Sequence, residues 1–227
     1  MSKSFSVLIM AFLMGFSVAG VAESRQDIHA SAQEVQPLLV GMKAPHFNVR
    51  NVENQAFKFE PGAQDKPVVL TFFRGGWCPY CNLHLAELRL AEKQLKEMGF
   101  NIWFISIDKP ELLLESLDDP GIGYTMYSDS SLSATRAFGL AFRVDDELNE
   151  KYLSYDIDLE NASGESHHVL PAPATYIIGT DGIINFAYIN PDYKVRLHPN
   201  VLLAAATAYK EDADRRLVSK RKQARKK

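Results

Sequence analysis

The only two cysteines of this 227-residue chain stand two residues apart, as Cys78-Pro79-Tyr80-Cys81, where an apolar run gives way to a helical pattern. Val68 to Phe73 is short, continuous and rich in β-branched and aromatic residues, which predicts a buried strand. Arg74-Gly75-Gly76 breaks that strand and leads through Trp77 into the pair. From Pro79 onward Leu83, Leu85, Leu88, Ala91 and Leu95 recur at helical spacing, with Glu87, Arg89, Glu92, Lys93 and Lys96 left for solvent. Gly99 is placed to end this helix with a left-handed cap. A strand that hands over to a helix within a few residues restricts the chain to a layered α/β architecture.

The remaining segments extend that pattern. Phe47 and Val49, then Ala56 to Phe59, alternate with polar residues and predict a short N-terminal hairpin. Ile102 to Ile107 reads as a second buried strand, and a helix starts near Pro110. Tyr124 to Tyr127 forms a short strand and Ser130 to Leu140 a short helix. Residues 141–170 are polar and acidic with scattered Tyr, and read as an insertion of helix and loop at the domain edge. Thr175 to Ile178, the turn Thr180-Asp181-Gly182 and Ile183 to Ile189 make an antiparallel pair, before an amphipathic helix from Pro199 to about Val218. The expected fold class is α/β: a central mixed sheet, largely parallel, flanked by helices, with a hairpin extension at its N-terminus.

Three segments are expected. Residues 1–22 combine Lys3, an apolar run from Val7 to Val21 and the small residues Gly20-Val21-Ala22, which is the pattern of a cleaved secretory signal peptide. No cysteine follows that run, so lipid attachment there is excluded. Residues 23–210 form one domain, whose first part, 23–40, reads as a loose leader or short helix. Residues 211–227 form a basic C-terminal tail, expected to be solvated. The mature protein is expected in a bacterial periplasm, without stable membrane insertion after cleavage. Hydrophobic residues at 46% and charged residues at 23% are globular values, and a net charge of −3 gives no general attraction to nucleic acid.

The spacing of Cys78 and Cys81 suits reversible chemistry. Cross-linking stabilises a fold mainly by closing long loops, and so small a ring gains little. Cys78 would sit at the first turn of the helix, where unpaired N–H groups and the dipole favour a thiolate. Pro79 fits there because its missing N–H would be unpaired anyway. The expected division is an exposed, attacking Cys78 and a more shielded, resolving Cys81. A zinc reading draws on the Cys78, Cys81 and His84 run, but no second cysteine pair exists to complete four ligands, so no metal is assigned. Covalent haem attachment is excluded, because Asn82 stands where the histidine would be required.

Four further positions are candidate supports. Arg74 can stabilise a thiolate and bind a polar oxidant, or simply leave the sheet as a solvated arginine. Trp77 directly precedes the pair. Thr71, inside an apolar strand, is expected to satisfy a backbone carbonyl. Pro173 either breaks a strand edge or forms a cis bond with Ala172 that brings backbone beside the cysteines.

Cys-Pro-Tyr-Cys after a buried strand, with Pro173-Ala174-Thr175 far downstream, resembles the thioredoxin superfamily. Val40-Gly41-Met42-Lys43-Ala44-Pro45-His46-Phe47, Phe104 to Asp108, and Ser128-Asp129 through Ala137-Phe138-Gly139 resemble the alkyl hydroperoxide reductase and thiol-specific antioxidant (peroxiredoxin) family. The likeness spans about residues 38–200. Around its attacking cysteine that family carries Pro-x-x-x-Thr-x-x-Cys; here Thr71 and Gly75 occupy the proline and threonine positions. The vicinal pair itself is closer to glutaredoxins and thiol-disulfide oxidoreductases. Arg136, Arg143 and Arg196 are all candidates for a second arginine of the active site.

The resemblance implies a thiol-dependent peroxidase. Cys78 attacks a hydroperoxide, Cys81 closes a Cys78–Cys81 disulfide, and an external dithiol protein restores both thiols, with no cofactor. The alternatives are an oxidoreductase acting on protein disulfides and a non-enzymatic redox sensor.

Overall fold

A computed structural model describes residues 24–115 and 125–224. The proposed signal peptide lies outside the described residues. Seven strands form the main sheet: β1 (Phe47–Asn51), β2 (Ala56–Phe59), β3 (Val68–Phe72), β4 (Asn101–Ser106), β5 (Thr125–Ser128), β8 (Ala174–Ile178) and β9 (Ile184–Ile189). Their order is β2-β1-β5-β4-β3-β8-β9. Strands β3, β4 and β5 run parallel, while the hairpin β1–β2 and the pair β8–β9 flank them antiparallel. A second, two-stranded sheet pairs β6 (Ala141–Arg143) with β7 (Val169–Pro171). The helices are α1 (Pro79–Glu97), α2 (Pro110–Glu115), α3 (Ser133–Ala137), α4 (Asp146–Leu153), α5 (Leu159–Ser163) and α6 (Pro199–Ala224).

Every residue of β3 is buried, because this strand is covered on both faces. Alternation sends Val68, Leu70 and Phe72 into one core and Val69 and Phe73 into the other. The first core is aromatic: Phe138 packs against Phe72 and Tyr176 at 5.1 and 5.0 Å between ring centroids, and meets Phe47 edge-on at 5.9 Å. The second core lies beneath α1 and α6, and both cysteines belong to it.

Three local expectations change. Leu83 points outward at 60% exposure, and Cys81 and His84 instead join Leu85, Leu88, Ala91 and Leu95 on the buried stripe of α1. Residues 24–40 are a docked strap, not a loose leader. The His29 N–H donates to Ala141 O at 3.0 Å, the Arg143 N–H donates to His29 O at 2.9 Å, and the Leu38 N–H reaches Phe138 O. The segment 141–170 holds two strands as well as helix and loop, since β6 and β7 fold back on one another over their own small core of Ile107, Leu132, Val144 and Leu159. Gly99 takes the expected left-handed conformation at φ 83°.

Removing the Phe138 ring leaves a void that Phe72, Phe47 and Tyr176 all face. Phe138→Ala should therefore cost about 3–5 kcal/mol, read as a lower urea midpoint with an unchanged slope.

Candidate active site

The parallel strands β3, β4 and β5 all end at the same edge of the sheet, and the loops leaving them build the site. After β3, the Phe73 N–H still pairs with Ile105 O of β4 at 3.0 Å. The chain then turns through Arg74-Gly75-Gly76-Trp77. The Gly76 N–H donates to Asp108 Oδ2 at 2.7 Å, the Cys78 N–H to Gly75 O at 3.2 Å, and the Asn82 side chain to Gly76 O at 2.8 Å. Cys78 occupies the N-cap of α1 in extended backbone, with Pro79 beginning the helix. The Cys81 and Asn82 N–H groups close the first turn on Cys78 O at 2.9 and 3.1 Å. This is the helix-start placement expected of the pair.

Both thiols are free and buried, Cys78 at 1% exposure and Cys81 at 0%. The expected contrast between an exposed first cysteine and a shielded second is therefore absent; what separates them is that Cys78 lines a cavity and Cys81 does not. Their electrostatics also reverse expectation. Hydrogen bonding with Cys81, then burial and the Cys81 charge, push the Cys78 thiol up, against an opposing pull from Arg74. Burial would raise Cys81 too. The Cys78 hydrogen bond, the Arg196 charge, the Arg74 N–H and the Arg74 charge overcome it and bring Cys81 down to about 6.

Arg196 delivers part of that pull directly, since its Nη2 donates to Cys81 Sγ at 3.2 Å and its Nε to Tyr193 O at 2.6 Å. Among the three candidate second arginines it alone is recorded in contact with the pair. Arg136 Nε ties down Gln26 O and Arg143 Nη1 ties down His167 O. Arg74 is buried, not solvated. Its guanidinium lies 4.1 Å from the Tyr193 ring centre, 5.1 Å from Trp77 and 5.4 Å from Tyr152, and it hydrogen-bonds the Tyr152 hydroxyl. Three aromatic faces thus aim a fixed cation at the cavity beside Cys78.

Asp108, just past β4, is the buried carboxylate of the site. Burial pushes it up to about 6, against the Gly76 N–H and the Ser106 hydroxyl, while the Cys81 charge pushes it further up. The Trp77 indole N–H faces it without closing an ordinary hydrogen bond. Gly75 explains itself here: a Cβ at this position would collide with the Trp77 indole nitrogen and come within 2.6 Å of Asp108 Oδ1. Thr71 meets the Thr175 hydroxyl across β3 and β8 at 3.1 Å, so its partner is a side chain and not the expected carbonyl. The Ala172–Pro173 bond is trans, not cis, yet Pro173 lines the same cavity as Cys78. His84 is buried against Leu197 O at 3.2 Å.

The cavity measures about 640 Å³, and Cys78, Trp77, Tyr152, Tyr193 and Pro173 are among its walls. Tyr152 comes from α4, Tyr193 follows β9, and residues 30–33 of the strap close another side. Sequence reading missed Tyr152, Tyr193 and Asp108. Asp108 alone carried a local signal, as a carboxylate closing an apolar strand.

Because Trp77 and Asp108 already fill the space above Gly75, a side chain placed there meets both of them. Gly75→Thr should destabilise the fold by about 2 kcal/mol, as read by thermal melts.

Comparison with known proteins places this geometry. The AhpC/TSA family matches residues 40–187. The putative peroxiredoxin bcp of Haemophilus influenzae is 26% identical over 106 residues, 47% of this chain and 68% of that protein. The thiol:disulfide interchange protein DsbE of Pseudomonas aeruginosa is 27% identical over 153 residues, 66% of this chain and 67% of that protein. Among solved structures, peroxidoxin BcpB from Mycobacterium tuberculosis superposes with a TM-score of 0.57 at 18% identity, covering 74% of this chain and 96% of that one, which establishes a shared thioredoxin-like fold. With a match that begins ahead of β1, ends inside β9 and contains the whole dithiol turn, this chain belongs to the AhpC/TSA family.

Proposed function

We propose that the protein is a thiol-dependent peroxidase in which Cys78 is the peroxidatic sulfur and Cys81 its resolving partner. The observation that carries this reading is the placement of Cys78: at the wall of an aromatic cavity that Arg74 also lines, and one helical turn from a second thiol. A hydroperoxide in the cavity presents its terminal oxygen to Cys78 Sγ. The sulfur electron pair forms the S–O bond as the O–O bond breaks, leaving a sulfenic acid on Cys78 and releasing water or an alcohol. Cys81 then attacks the sulfenic sulfur, closing a Cys78–Cys81 disulfide and releasing water. An external dithiol protein restores both thiols by exchange. Arg74 supplies positive charge where the peroxide oxygens gain electrons. The aromatic lining leaves room for an organic hydroperoxide as well as hydrogen peroxide.

A second reading, reduction or exchange of protein disulfides, draws on the vicinal cysteines and on the likeness to DsbE. The two separate in one experiment. Pre-reduced protein, mixed in a stopped-flow instrument with hydrogen peroxide, with cumene hydroperoxide or with a model protein disulfide, should be oxidised faster by one of the peroxides. Faster oxidation by the protein disulfide would sink the peroxidase reading. Cys78→Ser should abolish turnover in either case, whereas a redox sensor would show no turnover even before substitution.

The same proposal places the enzyme in the periplasm, supported by Lys3, the apolar run from Val7 to Val21 and Gly20-Val21-Ala22. N-terminal sequencing of protein from a periplasmic extract should then begin near Glu23; an intact Met1 in the soluble fraction would overturn it.

A further inference from the structure

Arg74 is a buried cation that meets no anion. It is 3% exposed, and among the described residues it enters no ion pair. Its neighbours are the faces of Tyr193, Trp77 and Tyr152, and its Nη2 donates to the Tyr152 hydroxyl. Its Nε is buried without an acceptor. Aromatic faces offset part of the cost of taking a guanidinium out of water. A buried charge is balanced in full only by an opposite charge that also hydrogen-bonds to it. The carboxylates of the site are committed elsewhere. Asp145, the acidic residue among the cavity walls, accepts the Leu148 N–H at 2.8 Å as the cap of α4. Asp108 accepts from the Gly76 N–H at 2.7 Å and the Ser106 hydroxyl at 3.2 Å. Arg143 and Lys151 line the same cavity as Arg74, so three cations stand there against one anion.

We infer that this cavity is a carboxylate site, and that the oxidant it selects is a peroxy acid, RC(O)OOH. The inference rests on the peroxidase reading and names its substrate class. A guanidinium holds its donors in a planar fork that matches the paired oxygens of an acyl group or carboxylate. The Tyr152 hydroxyl adds a further donor, because it accepts from Arg74 and keeps its own hydrogen for a ligand. Phe142, Leu148 and Tyr155 line the cavity as well and suit the apolar body of such an acid.

Cys78 reacts as its thiolate. Its sulfur bonds to the terminal oxygen of the peroxy acid, the O–O bond breaks, and the O–O bonding pair departs on RCOO⁻. The terminal oxygen keeps its hydrogen, so Cys78 becomes the sulfenic acid directly. The sulfur loses two electrons, the peroxide gains two, and the single negative charge passes from sulfur to carboxylate. That charge grows on the group that Arg74 already holds, so the contact strengthens towards the transition state. An alkyl hydroperoxide carries no acyl group and leaves as an alkoxide, which needs a proton.

The test uses full-length, pre-reduced protein and probes the carboxylate site apart from the peroxide chemistry. Iodoacetate and iodoacetamide carry the same reactive carbon and differ in the carboxylate. A carboxylate site makes iodoacetate the faster reagent at Cys78 by about tenfold relative to free glutathione, with the modified residue located by mass spectrometry. Benzoate should protect Cys78 from iodoacetamide, and neutral benzamide should not. Arg74→Gln should abolish both preferences, Arg74→Lys should keep part of them, and Tyr152→Phe should weaken benzoate protection severalfold. If the Arg74 variants fail to fold, the wild-type comparison of benzoate with benzamide still decides. In stopped flow, peroxybenzoic acid should outpace cumene hydroperoxide by more than it does with free glutathione. Equal protection by benzoate and benzamide, or a rate ratio no greater than that of glutathione, overturns the inference and leaves the peroxidase reading standing. A wild type that benzoate protects but that neither peroxide oxidises overturns the peroxidase reading and the peroxy-acid substrate, and leaves only the carboxylate site.

Discussion

One hydrogen bond, from the Gly76 N–H to the Asp108 carboxylate, ties the turn on which the rest of the site stands to the neighbouring strand. It ties the loop leaving β3 to the end of β4, so the start of α1 cannot drift relative to the sheet. Asp108 is kept inside the core at a cost of desolvation, and the Ser106 hydroxyl and the turn's own N–H offset it. Once this turn is fixed, Cys78 must occupy the helix start and Cys81 must point into the core behind it. Geometry that looks like a property of the cysteine pair is thus set largely by a carboxylate from the neighbouring strand.

That constraint also bears on the residues just ahead of Cys78. Gly75 stands where the resemblance implies a threonine, and Trp77 with Asp108 occupies the volume a side chain would need. Thr71, the other hydroxyl nearby, is committed to Thr175 inside the sheet. Neither can orient a peroxide. In the proposed reaction polar contact with the oxidant falls instead to Arg74, held by three aromatic rings from different parts of the fold. A stacked guanidinium loses little freedom on meeting a ligand, which makes it a suitable substitute for a small hydroxyl.

What could be read from sequence was what local patterning determines. The strand from Val68, the turn at Gly75-Gly76, the helix from Pro79 and the Gly99 cap all follow from neighbours along the chain, and all are present. So is the β8–β9 pair around Asp181-Gly182. The features that escaped depend on distant segments meeting. Arg196 reaches Cys81 only because α1 and α6 share one face of the sheet, and nothing in its local sequence sets it apart from Arg136 or Arg143. Tyr152 lies on a helix with no buried residues, so its role at the cavity left no hydrophobic stripe.

The strap of residues 24–40 has a consequence for the order of assembly. Its His29 pairs with Ala141 and Arg143 of β6, and residues 30–33 close one side of the cavity. This early segment of the chain is thus completed by strands that follow much later. Contacts so remote in sequence form slowly, because a long loop must close before they return any free energy. A chain emerging end-first has its dithiol helix in place before it has the wall that covers Cys78. During that interval both sulfurs are open to any thiol-handling protein that meets the growing chain, and sealing the cavity marks the end of that exposure.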